Sequence, residues 1–147
     1  MNDEQIDRHL LESAFPGLAG TPWAISSPTT DRYNCIAWVM GDSTRWWWPT
    51  LGRGYWPADL ARDTAVATFV QLLARGGFTA AEPATSEGSA ERIALFGIDG
   101  RVTHASRELA RGEWTSKLGS DVDITHPLRA LEGDIYGTVV LMMGRRA

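Results

Sequence analysis

The chain contains very little cysteine and very little lysine. Cys35 is the single cysteine, so an internal disulfide cannot form and nothing in the sequence requires an oxidising compartment. Lys117 is the single lysine among 14 basic residues. The net charge of −4 and the pI of about 5.3 give no general attraction to nucleic acid or to an anionic membrane. One cysteine and three scattered histidines also lack metal-ligand spacing, and we expect no metal and no other cofactor.

Long apolar segments are also missing. No run approaches the roughly 18 residues that a membrane span needs. The first residues, MNDEQIDRHLLESAF, are acidic and amphipathic and lack the basic and apolar regions of a secretory signal. We therefore expect a cytoplasmic protein without membrane contact, and export by a signal-free route stays open. The length of 147 residues predicts a single domain over 1–147.

Two segments show clear helical periodicity. Residues 3–14 place apolar side chains on one side of a helix. Residues 58–75 follow the i, i+3, i+4, i+7 pattern, with Pro57 in the first turn and Gly76 at the end. Both are therefore predicted to pack one face against a core.

A third segment, YNCIAWVMG at residues 33–41, is short and almost wholly apolar. Such a run fits either a buried helix or a buried strand. Thr30 and Asp31 before it are suitable N-cap residues, and Gly41 is a suitable stop. These ends favour a buried helix.

The second half of the chain predicts an antiparallel sheet. Asp99–Gly100 indicates the turn of a hairpin, and Arg111–Gly112 indicates a second turn. Residues 85–91 predict a polar loop, a helical turn is expected after Pro127, and residues 135–143 predict a buried last strand. Helices followed by such strands are typical of an α+β fold.

Cys35 is the candidate nucleophile. At the start of a helix the macrodipole favours the thiolate, which is the reactive form. The thiolate needs a base, and strand alternation places His104 on one face with Val102 and Ser106. A helix that carries cysteine and faces a strand that carries histidine is the arrangement of papain-like hydrolases. The competing interpretation is a buried structural cysteine that acts as a small hydrophobe.

A third group should orient the imidazole. Asp123 is the first choice, because a carboxylate also stabilises imidazolium, and Ser116 is the neutral alternative across from the face of His104. The competing interpretation leaves Asp123 in a solvated turn. His126, before Pro127, is predicted to cap a turn.

The segment after the cysteine is rich in tryptophan. Three consecutive tryptophans cannot all point inward, so we predict a partly exposed wall or lid that contacts substrate beside the cysteine. The competing interpretation has at least half of these rings filling the core. The oxyanion of the reaction is expected to meet the backbone N–H of Cys35 and the Asn34 side chain. The candidate substrate-binding residues are Asn34, Trp46, Trp47, Trp48 and Trp56.

The motifs YNCIAWVMG, WWWP, YWP, THASREL and WTSKLG together resemble a family of small bacterial domains, over about residues 33–136. That family is distantly similar to papain-like and NlpC-like cysteine hydrolases. The resemblance implies Cys35 as nucleophile and His104 as base. A second alignment, of RIALFGIDGRVTHAS with an NlpC-type hairpin, puts Arg92 at the place of the catalytic histidine and His104 at the third residue. An arginine cannot act as a base near neutral pH.

Two functions follow from these residues. The first is thiol-dependent hydrolysis or acyl transfer on an amide or ester, in an α+β domain with a papain-like core whose buried Cys-bearing helix packs on an antiparallel sheet. Its expected substrate is a peptide, an amide or a cell-wall-like molecule. The alternative is a non-catalytic binding protein of the immunity or adaptor type, which uses the tryptophan-rich loop against a protein partner.

Overall fold

The computed structural model describes residues 2–27, 30, 32–50, 54–80, 91–118 and 121–145. In these residues, three α-helices accompany one seven-stranded antiparallel sheet. The α+β class expected from the sequence is therefore confirmed. Asp31 and most of the predicted polar loop lie outside the described residues. No helix in the described ranges has the length and apolar character needed to cross a membrane.

The first two helices lie where the sequence predicts them. α1 spans Asp3–Ala14, and α2 spans Cys35–Val39. The N-cap of α2 is Asn34 and not the predicted Thr30. The reason is local geometry, because Oδ1 of Asn34 accepts the amide hydrogen of Ala37 at 3.2 Å. Cys35 is thus the first residue of a helix of five residues.

The described residues form seven strands: β1 (Ala24–Ser27), β2 (Thr79–Ala80), β3 (Glu91–Ile98), β4 (Arg101–Ala110), β5 (Glu113–Lys117), β6 (Asp123–His126) and β7 (Thr138–Arg145). They make a single sheet in the order β1-β6-β5-β4-β3-β7-β2. The hairpin turn at Asp99–Gly100 is confirmed, and both residues have positive φ, as the tight turn between β3 and β4 requires. The edge strand β1 and its neighbour β6 were not expected from the sequence.

α3 spans Val66–Arg75 and is shorter than the predicted helix at 58–75. The preceding residues are drawn to the sheet instead. The carbonyl of Thr64 accepts the amide hydrogen of Val102 at 2.7 Å, and Ala65 forms an isolated bridge with Arg101. These contacts keep the chain extended until the helix begins.

Both faces of the sheet carry a hydrophobic core. α2 and α3 cover one face, where Ile36, Phe69, Leu95 and Ala105 are fully buried. α1 and the 3-10 turns at Pro16–Leu18 and Leu128–Leu131 cover the other face, where Phe96 and Trp114 are buried. The two faces will be called the α2 face and the α1 face.

A β-bulge decides which side chains of β4 point to each face. Phe96 pairs with His104 and Gly97 pairs with Val102, so Thr103 is an extra residue on β4. The predicted alternation of Val102 with His104 is therefore wrong. Val102 joins the core of the α2 face, whereas the ring of His104 contacts Phe96 on the α1 face.

Candidate active site

The thiol of Cys35 is enclosed by protein. Its residue is 6% exposed and belongs to the core of the α2 face. Burial raises the pKa of the thiol to about 11, although backbone hydrogen bonds from Ala105, Ile36 and Cys35 itself act in the opposite direction. The expected thiolate at the helix start is thus not the resting form. The contact with Ala105 nevertheless brings the thiol to the residue that follows His104.

His104 has no solvent exposure and lies between two aromatic rings. Its ring centre is 4.0 Å from that of Tyr136, and the two planes are 5° from parallel. Phe96 packs against it edge-on at 5.3 Å. Burial, and then the nearby His126, hold the pKa of His104 well below 6.5. The sequence-based expectation of a thiolate–imidazolium pair is therefore wrong, because the environment favours the neutral form of both groups.

The two nitrogens of the His104 ring have different surroundings. Nε2 lies 3.0 Å from Oγ of Ser116 on β5. Nδ1 is buried and has no hydrogen-bond partner among the described residues, so no hydrogen bond joins it to the Cys35 thiol. Ser116 thus occupies the orienting position that the sequence offered as the neutral alternative. The fold leaves one imidazole nitrogen unused.

Ser116 is itself the centre of a buried polar chain. Its Oγ lies 2.6 Å from Oγ of Ser106 and 2.7 Å from Nε2 of His126. Nδ1 of His126 lies 2.7 Å from the carbonyl oxygen of Pro127. Burial lowers the pKa of His126 to about 4, and the contact with Pro127 opposes this shift. His126 was not predicted as a site residue, because the sequence of DITH does not by itself indicate a strand beside β5.

Asp123 does not reach the His104 ring, contrary to the first choice from the sequence. It pairs with Lys117 on β5, so alternation turns its side chain to the α2 face, opposite to that of Ser116. There Oδ2 accepts the hydroxyl hydrogen of Tyr33 at 2.6 Å. Oδ1 is buried without a partner among the described residues. Asp123 is therefore part of a separate buried polar pair.

Asn34 is occupied by the backbone of the tryptophan segment. Its Nδ2 donates to the carbonyl of Trp47 at 2.6 Å, and its Oδ1 accepts the amide hydrogen of Trp47 at 3.0 Å. The loop thus uses Oδ1 and one of the two Nδ2 hydrogens of Asn34, and the role of the second Nδ2 hydrogen as an oxyanion donor stays a prediction. Asn34 also joins the start of α2 to that loop.

The tryptophans pack mainly as core. Trp47 and Trp56 are buried, and their indole N–H groups donate to Asp42 and to the carbonyl of Ala61. Trp48 is half-buried against Phe69 of α3, and Trp46 is half-buried. The interpretation in which at least half of these rings fill the core is therefore supported. Trp46 and Trp48 are partly exposed, as the sequence predicted for the tryptophan run, and their contact with substrate stays a prediction.

Arg92 lies outside this arrangement. Its guanidinium makes a two-pronged ion pair with Glu108, at 2.8 and 2.7 Å, and stacks over Trp114. This pair raises the pKa of Arg92 and lowers that of Glu108. In the alternative alignment, the position of the catalytic base is thus held by an arginine whose charged group is already paired with Glu108. A surface cleft of about 460 Å³ near Arg62 and Arg101 contains none of the predicted site residues.

A comparison with known protein families finds a match that covers most of the chain. A model described as a domain of unknown function, DUF7689, matches residues 24–144. The chain belongs to the DUF7689 family. The matched segment includes Cys35, His104, Ser116 and His126, whereas α1 lies before it in the sequence. No curated protein and no solved structure matches the chain.

The described ranges contain no group of three or more histidine, cysteine or carboxylate side chains that could hold a metal ion. The chemistry available from the residues themselves is that of a thiol and an imidazole. Both are neutral at rest, and both are covered by the fold.

Proposed function

We propose that this DUF7689 domain is a thiol-dependent hydrolase or acyltransferase with a papain-like core, which acts on an amide or ester such as a peptide bond. The observation that carries the proposal is that Nδ1 of His104 is buried without a hydrogen-bond partner among the described residues. Leaving a buried polar atom without a partner costs about 1–3 kcal/mol, so such an atom calls for an explanation. Cys35, the first residue of α2, contacts the backbone of Ala105, which is the residue after His104.

In the proposed reaction Cys35 and His104 start as neutral groups. As Sγ attacks the carbonyl carbon, its proton moves to Nδ1 of His104, and the imidazolium then protonates the leaving amine or alcohol. Water, or an acceptor nucleophile, then attacks the thioester carbonyl while Nδ1 takes its proton. The C–S bond breaks, the acyl product leaves, and the imidazolium returns its proton to Sγ, which regenerates the thiol. The backbone N–H of Cys35 is the candidate donor to the oxyanion.

Access to this pair requires the fold to open. Tyr136 covers the His104 ring and is half-buried. It belongs to a tight turn in which Gly133 and Gly137 exchange backbone hydrogen bonds at 3.0 and 2.9 Å. Residues 133–135 of this turn are exposed. The proposal has this turn move aside when the substrate binds. It also requires the Cys35 thiol, which lies on the α2 face, to reach Nδ1 of His104 on the α1 face where β4 is bulged.

The proposal is tested with p-nitrophenyl acetate, a small activated ester, followed by peptide mapping. Folded wild-type protein is expected to carry an acetyl group on Cys35. His104→Gln is expected to slow its formation by about 100-fold, a typical loss when a general base is removed. Arg92→Gln is the control for the alternative alignment and should leave the rate unchanged.

Two results would overturn the catalytic proposal. One is a Cys35 that is acetylated only after unfolding, and the other is an equal rate in wild type and His104→Gln. Binding would then be the better candidate function, and a specific feature favours it. The exposed Arg45 stacks over Tyr55 at 4.0 Å and lies beside Trp47, and these residue types are enriched at binding hot spots.

A further inference from the structure

We propose that His126 is a positioning residue that fixes which nitrogen of His104 carries the proton. This inference rests on the proposed function, in which Nδ1 of His104 must be unprotonated to act as a base. It also gives a role to a histidine that the sequence suggested only as a turn cap. The role follows from a count of the protons along the hydrogen-bonded residues Pro127, His126, Ser116 and His104.

The count begins at Pro127. Its carbonyl oxygen can only accept, so the 2.7 Å contact requires a proton on Nδ1 of His126. His126 is 1% exposed, and its hydrogen bonds within the described residues go to Ser116 and Pro127 and not to a carboxylate, which disfavours the imidazolium form. Nε2 of His126 therefore has a lone pair and must accept.

Ser116 has one hydroxyl proton, and Nε2 of His126 accepts it. Oγ of Ser116 donates to Nε2 of His126 at 2.7 Å. Its two lone pairs then accept from Ser106 at 2.6 Å and from His104 at 3.0 Å. Every hydrogen-bonding capacity of the Ser116 hydroxyl is used once.

The result for His104 is a single tautomer. Since the hydroxyl proton of Ser116 is already donated to His126, Nε2 of His104 must supply the proton of their contact. Nδ1 then carries the lone pair, and it is the buried atom without a partner. If His126 were unable to accept, the Ser116 proton could turn to Nε2 of His104. The ring proton would then move to Nδ1 and the base would be lost.

Nitrogen-15 NMR of histidine-labelled protein tests this order of protons directly. In wild type at pH 7, the spectrum should show His104 with a protonated Nε2 and an unprotonated Nδ1, and His126 with the reverse. His126→Phe removes the acceptor and should shift His104 toward the Nδ1–H form. His126→Gln retains an acceptor oxygen and should restore the wild-type form.

The rate of Cys35 acetylation is the second readout. His126→Phe is expected to reduce it by about 100-fold, and His126→Gln should recover most of the loss. An Nδ1–H form of His104 in wild type would overturn the inference without any variant, even if His126→Phe failed to fold. An unchanged His104 form in folded His126→Phe would also overturn it. If wild type shows the expected protons but no acetylation, the proposed function fails and the proton order stands.

Discussion

Between pH 7 and pH 5 the free energy of unfolding is expected to fall by more than about 2 kcal/mol. Burial lowers the pKa of His126 to about 4 and holds that of His104 well below 6.5. In the unfolded chain both rings titrate near 6.5, so the unfolded state binds protons that the fold excludes. The stability that comes from keeping both buried rings neutral is therefore fully present above about pH 7 and is lost as the pH falls. His126 alone accounts for about 2 kcal/mol at pH 5.

Urea unfolding at pH 7, 6 and 5 measures this loss. His126→Gln should make the pH dependence shallower by about one proton, because it removes one of the two buried imidazoles. His9→Gln is the matched control, since His9 is exposed on α1, and it should leave the slope unchanged. A wild-type stability that stays constant from pH 7 to pH 5 would mean that the two imidazoles are not buried as neutral groups.

The Tyr33→Phe variant is expected to lose about 3 kcal/mol of stability. The Tyr33 hydroxyl is the donor to Oδ2 of Asp123, and Oδ1 has no hydrogen-bond partner in the described part of the chain. Asp123 has no exposed surface, so removing this donor takes away the side-chain hydrogen bond that the described residues give to this buried acidic group. Phe keeps the ring that stacks on Trp38, which confines the change to the hydroxyl group.

A double-mutant cycle separates this loss from a packing defect. Asp123→Val removes the acidic group, and in this background Tyr33→Phe should cost less than about 1 kcal/mol. Chemical denaturation of the four proteins gives the coupling free energy. Equal costs of Tyr33→Phe with and without Asp123 would show that the hydrogen bond contributes nothing to stability.

The sequence predicted the parts of this fold that depend on local signals. α1, the end of α3 at Gly76 and the turn at Asp99–Gly100 follow from periodicity, a glycine stop and turn chemistry. β1 and β6 depend on each other instead, through pairs such as Ile25 with Ile124. Contacts across such a separation leave little trace in a short window of sequence.

The candidate site shows the same difference between features with a local sequence signal and features that depend on contacts between distant residues. Cys35, His104 and Ser116 could be named from residue type and approximate position. The bulge at Thr103 could not be predicted, because reading a strand from sequence assumes that side chains alternate without interruption. His126 was hidden for a related reason, since only the pairing of β5 with β6 brings it to Ser116.

The pH dependence of Cys35 acetylation by p-nitrophenyl acetate tests the central claim most directly, namely that neutral His104 activates a neutral thiol. With the pKa of the thiol near 11, a reaction through free thiolate accelerates about tenfold per pH unit from pH 7 to pH 9. General-base activation by His104 predicts a nearly constant rate in wild type over this range, and the tenfold slope in His104→Gln. The same tenfold slope in both proteins, at equal rates, would contradict the account.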